Sequence, residues 1–466
     1  MKCGMAAKGC GGCGGMEKPY PEALREKEQA FRKLFPDARP IVPAVSPLRY
    51  RNKVLRTFAN GKTDLYAGMY KAGTHQILSV RECLLENSRA SKIAMTALQI
   101  LAEMGLPAYR EDFRKGLLRH MQVRRCPGTG EALFTLVTGT KDFPGGQAFA
   151  ARLMAACPEV KGVTQNINDR TTSAVMGFQD RLLGGKDEIR DTLSGLTVYL
   201  TSRSFYQVNS AMAEKLYACA VDAANLQKSD TVLDAYCGVG VIGMLAAKNA
   251  GQVTGIELVK PAVRCAEKAA KANGIGNIRF LCGDAAKVLQ EQETHFTVVF
   301  TDPPRSGCSP EFLEALIAAA PEKIVYVSCC PETLRRDADI LRAHGYKMDH
   351  PRPFDLFPYT EHVETVVLLS KGEIDSKRIR VEFPLDNMEV AAFREKATYP
   401  QIKNYVLENT GLKVSSLYIS QIKRKCGLDV SDSYNKPKSE DSRVPQCPPE
   451  KEEAIIDALK HFGMIS

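Results

Sequence analysis

The chain has 466 residues, 44% hydrophobic and 25% charged, with 63 lysines and arginines against 54 aspartates and glutamates, a formal charge of +9. That composition excludes a disordered chain, and the length calls for about two to four domains. No apolar run is long enough to cross a bilayer, the N-terminus lacks the apolar stretch of a secretion signal, and 15 cysteines then point to reduced thiols in a cytoplasmic protein instead of a disulfide scaffold.

Cys3, Cys10 and Cys13 stand among glycines in the first thirteen residues. Glycine lets a backbone wrap a compact centre, so three thiols in this loop suit an iron-sulfur or zinc site, with Cys83, Cys126 or Cys157 as fourth ligand. Apolar residues at helical spacing predict a helix over 20–35, and prolines make 36–47 an extended linker. Residues 49–54 and 68–77 read as strands in which basic and aromatic residues interleave, as a surface that grips phosphates and stacks bases requires; His75 among them reads as structural. A helical pattern over 88–104 and short alternating runs over 116–200 predict an α+β domain on an antiparallel sheet.

After Thr201 the period changes. Short strands at 232–234, 253–257, 278–282, 297–302, 324–329 and 362–369 alternate with helices such as 241–249 and 260–273, which predicts a doubly wound, mostly parallel sheet. Beyond Lys371 the composition turns polar, with helices expected at 397–407, 415–425 and 450–462 and a proline-bearing linker at 435–449: a helical appendage, either RNA-binding or a packing domain. The expected domains are therefore 1–47, 48–200 (including Cys83), 201–371 and 372–466.

In wound sheets ligands bind beyond the carboxyl ends of the strands, and the chemistry-bearing residues fall there. Gly238-Val-Gly-Val-Ile-Gly fits a dinucleotide fingerprint, but Asp234 before it would repel a pyrophosphate and attract the ammonium of a methionyl group. Glu257 ends the second strand, where an acid takes ribose hydroxyls, and Asp284 follows the third, where it can accept from an adenine amino group. Acid, glycine turn, acid, acid is a recognition set for S-adenosyl-L-methionine. The fourth strand leads into Asp302-Pro-Pro-Arg305, with arginine where amino-methylating enzymes carry a base-stacking aromatic, so exocyclic nitrogen is not the expected target. Ser328-Cys329-Cys330-Pro and His362-Val-Glu364 bring a thiol and a carboxylate to one pocket, which suits methylation of pyrimidine carbon 5: a thiolate adds at carbon 6, the resulting enolate is methylated, and a base removes the carbon 5 proton.

Phe205-Tyr-Gln-Val-Asn, Asp234-Ala-Tyr-Cys-Gly-Val-Gly, Asp302-Pro-Pro-Arg-Ser-Gly, Tyr326-Val-Ser-Cys-Cys-Pro and Phe357-Pro-Tyr-Thr-Glu-His-Val-Glu follow one another as in the RNA uridine-5-methyltransferases, which the chain resembles over roughly residues 1–370. The resemblance implies a class I methyltransferase with a seven-stranded sheet, Cys329 as nucleophile and Glu364 as proton acceptor. Gln207, Tyr236, Glu257 and Asp302 match the family's cofactor positions, to which the residue-level reading adds Gly238 and Asp284. Phe205 would lie near a flipped-out base. Cys3, Cys10, Cys13 and Cys83 match the family's four-iron (4Fe-4S) ligand arrangement, and short cluster-bearing members imply a uridine in 23S rRNA as target and a monomer as the working form. The chain departs from the family in Cys330, where asparagine is common, and in lacking the oligonucleotide-binding domain that precedes the cluster loop of longer members. The alternatives are transfer RNA uridine, cytosine-5 methylation through Cys308, and an RNA-binding assembly factor with a vestigial pocket.

Overall fold

Alternating burial along β1 (Lys53–Asn60) makes one face of a sheet that β2 (Leu65–Tyr70), β3 (Ile77–Ser79), β4 (Leu118–Arg125), β5 (Ala132–Thr138), β6 (Val160–Ile167) and β7 (Gln179–Gly185) complete in the order β3-β2-β1-β4-β5-β6-β7. Every pairing is antiparallel except β5 with β6. The predicted all-antiparallel sheet is thus mixed, because a helix at Gly146–Ala156 carries the chain back and returns it in the same direction. This crossover helix and another at Ser88–Glu103, capped by Asn87 through Arg89 N–H and Ala90 N–H, bury Ile93, Ala97, Phe134 and Phe149 in one core. The structure, a computed structural model, describes residues 3–14, 16–61, 64–170, 174–371, 399–426, 447–462 and 464–465.

A hairpin of β8 (Glu188–Leu193) and β9 (Leu196–Thr201) follows, and its Ile189, Leu193, Val198 and Leu200 enter the core of the next sheet. That sheet holds β10 (Thr231–Ala235), β11 (Gln252–Glu257), β12 (Ile278–Cys282), β13 (Val298–Thr301), β14 (Lys323–Ser328), β15 (Tyr346–Met348), β16 (Arg352–Phe354) and β17 (Glu364–Lys371). The order is β12-β11-β10-β13-β14-β17-β15, parallel from β12 to β14, with β17 antiparallel between β14 and the edge. β15 and β16 pair with opposite ends of β17, so they act as one edge strand interrupted at 349–351, and the expected seven-strand layout has eight segments. Winding reverses between β10 and β13, which places the ligand-binding crevice at their carboxyl ends.

Residues 1–376 form one unit and 377–466 a second. In the second, helices Tyr399–Thr410, Ser416–Lys425 and Pro449–His461 close on Ile402, Val406, Ile419, Ile455 and Leu459. Most of the linker expected at 435–449 lies outside the described residues. Among the described residues, no helix is long and apolar enough to cross a membrane.

Candidate active site

Five consecutive strand ends build the site. β10 is buried along most of its length and leaves the sheet through Tyr236, which takes φ +60°, a left-handed conformation that a tyrosine adopts only under constraint from its surroundings. Gly238 and Gly240, at φ +57° and +79°, complete the turn into the helix Val241–Ala247. Asp234 Oδ2 accepts the Gly243 N–H of that helix's first turn at 2.7 Å, and a Cβ at Gly243 would come within 2.9 Å of the same oxygen. Asp234 is thus buried, 1% exposed, and one of its oxygens holds the glycine turn in shape.

Glu257, at the end of β11, accepts Gly238 N–H on Oε2 at 3.0 Å and Val259 N–H on Oε1 at 2.8 Å, bracing the glycine turn against the next strand end. Each oxygen keeps a lone pair for a hydroxyl. Asp284 is exposed and caps the helix Ala285–Glu291 through Oδ1. Gln207 is buried; its backbone carbonyl accepts from Asn52, which ties the segment after β9 to β1.

The reacting groups lie one strand further on. Ser328 pairs with Thr365 as the last pair of the antiparallel β14–β17 register, so Cys329 and Glu364, each one residue further, lie close enough for the Glu364 charge to act on the thiol. Ser328 Oγ accepts Cys330 N–H at 3.1 Å and donates to the Cys330 carbonyl at 3.0 Å, folding the chain tightly around Cys329. Thr333 Oγ1 reaches the carbonyls of both Arg305 and Cys330, joining this turn to the one after β13.

The electrostatics of this corner are unusual. Glu364 is 2% exposed, and its Oε2 has no hydrogen-bond partner. Desolvation and then the Asp302 charge raise its pKa to about 8, against the pull of Arg305. Desolvation alone lifts Asp302 to about 7, and it raises Asp234 to about 7 although Gly243 N–H pulls the other way. Desolvation, then Glu364 and Asp302, push the Cys329 thiol to about 12, and Arg305 again opposes. Cys329, Glu364, Asp302 and Arg305 thus share one electrostatic neighbourhood. Arg305 donates to His362 Nδ1 at 2.9 Å, which makes that nitrogen an acceptor and keeps the imidazole neutral. Arg305 and His362 were legible only as an oddity after Asp302-Pro-Pro and as part of a motif; their pairing across 57 residues had no signal in the sequence.

Cys329 and Cys330 open onto a cleft of about 640 Å³, walled on one side by Arg305 and His362 and on the other by the helix Tyr20–Leu34. That helix is fixed by Lys27 and Tyr20, which both bond to the buried Asp355. Cys308, the alternative nucleophile, is elsewhere: it is buried behind β13 and β14 with Sγ against the hydroxyls of Tyr326 and Thr301, which removes the basis for cytosine-5 chemistry through it.

The N-terminal cysteines are only partly gathered. Cys3, Cys13 and Cys83 pack around Met16, Tyr50 and Leu85, while Cys10 Sγ turns to Met69 Sδ at 3.9 Å. Among the described residues no three His, Cys, Asp or Glu side chains stand in position to hold a metal ion, so the expected four-ligand set is not formed by these positions as they stand.

A cationic cofactor fits the crevice. Burial holds Asp234, Asp302 and Glu364 above their ordinary range, so a cation beside them would be favourable, and Glu257 offers paired oxygens beside a glycine turn. Fold and site together define a class I, S-adenosylmethionine-dependent methyltransferase. The family model described as tRNA (uracil-5-)-methyltransferase matches residues 179–372. An uncharacterized RNA methyltransferase of Halalkalibacterium halodurans is 34% identical over 371 residues, 77% of this chain and 81% of that protein, and one from Staphylococcus aureus is 36% identical over 373 residues, 78% and 82%. The crystal structure of the Pyrococcus abyssi tRNA (uracil-54, C5)-methyltransferase with S-adenosyl-L-homocysteine superposes with a TM-score of 0.64 at 25% identity, covering 75% of this chain and 83% of that one. The chain belongs to the RNA uracil-5-methyltransferase family: it is an enzyme whose methyl donor is S-adenosylmethionine and whose substrate is RNA.

Proposed function

We propose that this enzyme methylates carbon 5 of a specific uridine in 23S rRNA through a covalent adduct on Cys329. The observation that carries the reading is the β14–β17 register, which sets a thiol against a carboxylate whose Oε2 has no partner. Cys329 Sγ adds to carbon 6 of a flipped-out uracil, and the electron pair of the 5,6 double bond moves to the carbon 5 enolate. S-adenosylmethionine, when bound, supplies an electrophilic methyl group and a positive charge beside these acids. After carbon 5 is methylated, Glu364 takes its proton, the double bond re-forms and Cys329 leaves. A carboxylate raised to about 8 is a stronger base than an exposed one, which suits this step. Arg305 pulls the Cys329 proton towards release.

Tyr236, Gly238, Glu257, Asp284, Asp302 and Gln207 form the cofactor's surroundings in this reading, with Glu257 on the ribose and Asp284 on the adenine. Glu364→Gln should accumulate an RNA-protein adduct that survives denaturation, and 5-methyluridine should be missing from one 23S rRNA position in cells lacking the protein. A missing transfer RNA methyl group instead would favour the second reading, suggested by the activity of the Pyrococcus abyssi neighbour.

The same proposal assigns Cys3, Cys10, Cys13 and Cys83 to a four-iron cluster. Its support is the spacing of the loop and the packing of three of the four thiols around one small core. Cys10 Sγ lies against Met69 Sδ and within electrostatic reach of Cys13 and Cys3. Anaerobically purified protein should be brown with about four irons; a colourless protein carrying stoichiometric zinc would overturn it.

A further inference from the structure

The edge strand β7 carries charge, Asp180 and Arg181, on its open side. Its first four residues are exposed, Leu182 among them, and among the described residues it pairs only with β6. Just before it, Phe178 is 81% exposed, and the Arg170 guanidinium lies 4.2 Å from the ring centroid on one face. An exposed phenylalanine beside a strand edge of Gln179, Asp180 and Arg181 needs a reason.

The surroundings of Phe178 are built, not loose. Asn166 and Asn168, both fully buried, tie the flanking turns: Asn166 accepts Gly177 N–H at 2.7 Å and donates to Asp180, and Asn168 donates to the Ala174 and Val175 carbonyls. Arg170 donates to the Met176 carbonyl at 2.7 Å, which fixes the guanidinium over the ring. Arg203 bonds both the Gly177 carbonyl and the Asp180 carboxylate, so the strand edge is joined to the segment that carries Phe205, itself 64% exposed. That segment runs on to Asn209, which donates to the Leu356 carbonyl, two residues past the Phe354 that pairs with Glu364. A continuous covalent and hydrogen-bonded path therefore leads from Phe178 to the reacting carboxylate.

We propose that this edge, centred on Phe178 and Arg170, holds an unpaired stretch of the RNA substrate adjacent to the target nucleotide. One base stacks on the open face of Phe178, a second on Phe205, and Arg170, Arg181 and Arg203 neutralise the backbone between them. Against Arg170, Arg181 and Arg203 stand two carboxylates, Asp180, paired with Arg203, and the exposed Asp169, so the surface stays net positive for a polyanion. Stacking is indifferent to base identity, so this surface supplies affinity and position, while the choice of uridine lies at Cys329. The proposal rests on RNA as substrate and not on which carbon is methylated.

The test measures binding of the full-length protein to a fluorescein-labelled single-stranded RNA of about 12 nucleotides, without cofactor, by anisotropy. Phe178→Ala should weaken binding by about 5- to 100-fold, the loss of one stacked base, and Phe178→Tyr should restore it to within about 2-fold. Arg170→Ala should weaken it less and flatten the salt dependence. Cofactor affinity and melting temperature should not move, since the ring is exposed. Unchanged RNA affinity in Phe178→Ala would overturn the assignment. So would a wild-type dimer that Phe178→Ala dissociates at constant RNA affinity, which would give the edge to a second copy of the chain. If wild type shows Phe178-dependent affinity yet makes no 5-methyluridine, the surface stands and the uridine-5 reading falls.

Discussion

The two places where this chain concentrates thiols are organised by opposite means. At the carboxyl end of β14 and the amino end of β17, an antiparallel register brings Cys329 and Glu364 together over 35 residues of sequence, and a serine clamp fixes the turn. In the N-terminal loop the pairing is a single antiparallel bridge, Cys10 with Lys71; three thiols pack around Met16, Tyr50 and Leu85 and the fourth faces Met69. A seven-stranded pairing order frames the first site, whereas one bridge anchors the second, which under the cluster proposal depends on its ligand. A strand-end site should accordingly tolerate loss of ligand, and a loop site should depend on it.

The largest effect expected from breaking that contrast is at the nucleophile. Cys329→Ala should reduce methyl transfer by a factor on the order of 10³ or more while cofactor affinity stays within about 2-fold, and Cys330→Ala should keep most of the activity, as measured by single-turnover transfer to RNA. Equal losses in the two variants would mean that the register does not choose the thiol.

Next comes Glu364. Its folded-state pKa of about 8 lies above the ordinary 4.5, so the proton it holds stabilises the fold fully below about pH 4.5, and that contribution is lost as pH rises through 8. Glu364→Gln removes this dependence. Its melting temperature relative to wild type should therefore climb between pH 5 and pH 9, by the equivalent of a few kcal/mol at most. Wild-type turnover should rise with pH towards 8 as the base becomes available, and a flat profile would separate Glu364 from the proton-transfer step. At the loop site, Cys83→Ser should strip iron and lower the melting temperature, with cofactor affinity unmoved; retention of full iron content would remove Cys83 from the ligand set.

What the sequence could disclose follows the same division. The wound sheet was readable because its periods and strand-end motifs are local, and helices such as Tyr20–Leu34 and Ser88–Glu103 fell within a residue of their expected ends. The parallel β5–β6 pairing was not, since direction depends on how Gly146–Ala156 crosses the sheet. Motif position located Asp234 at the site, but only the fold reveals that Gly243 N–H also takes one of its oxygens. The same limit applied to Cys308, whose neighbours Thr301 and Tyr326 lie on two different strands, and to Arg305 with His362. Each of these hinges on which side of a strand end a side chain leaves, a fact decided by tertiary packing.

The smallest predicted effect probes the acids of the strand-end site directly. Asp234 and Asp302 each titrate near 7 in the free protein, held up chiefly by desolvation, so at neutral pH each is partly protonated. A ligand bearing sulfonium and ammonium charges favours the ionised forms, and binding must then expel protons. Calorimetry at pH 7 in buffers of differing ionisation enthalpy should show release of about 0.5 to 1 proton per S-adenosylmethionine, falling towards zero at pH 9 where the carboxylates are already ionised. S-adenosylhomocysteine keeps the ammonium but lacks the sulfonium charge and should release fewer. Binding heats that do not vary with buffer would mean that these carboxyls stay neutral beside the cofactor, and the crevice would then recognise its ligand through Glu257 and the glycine turn alone.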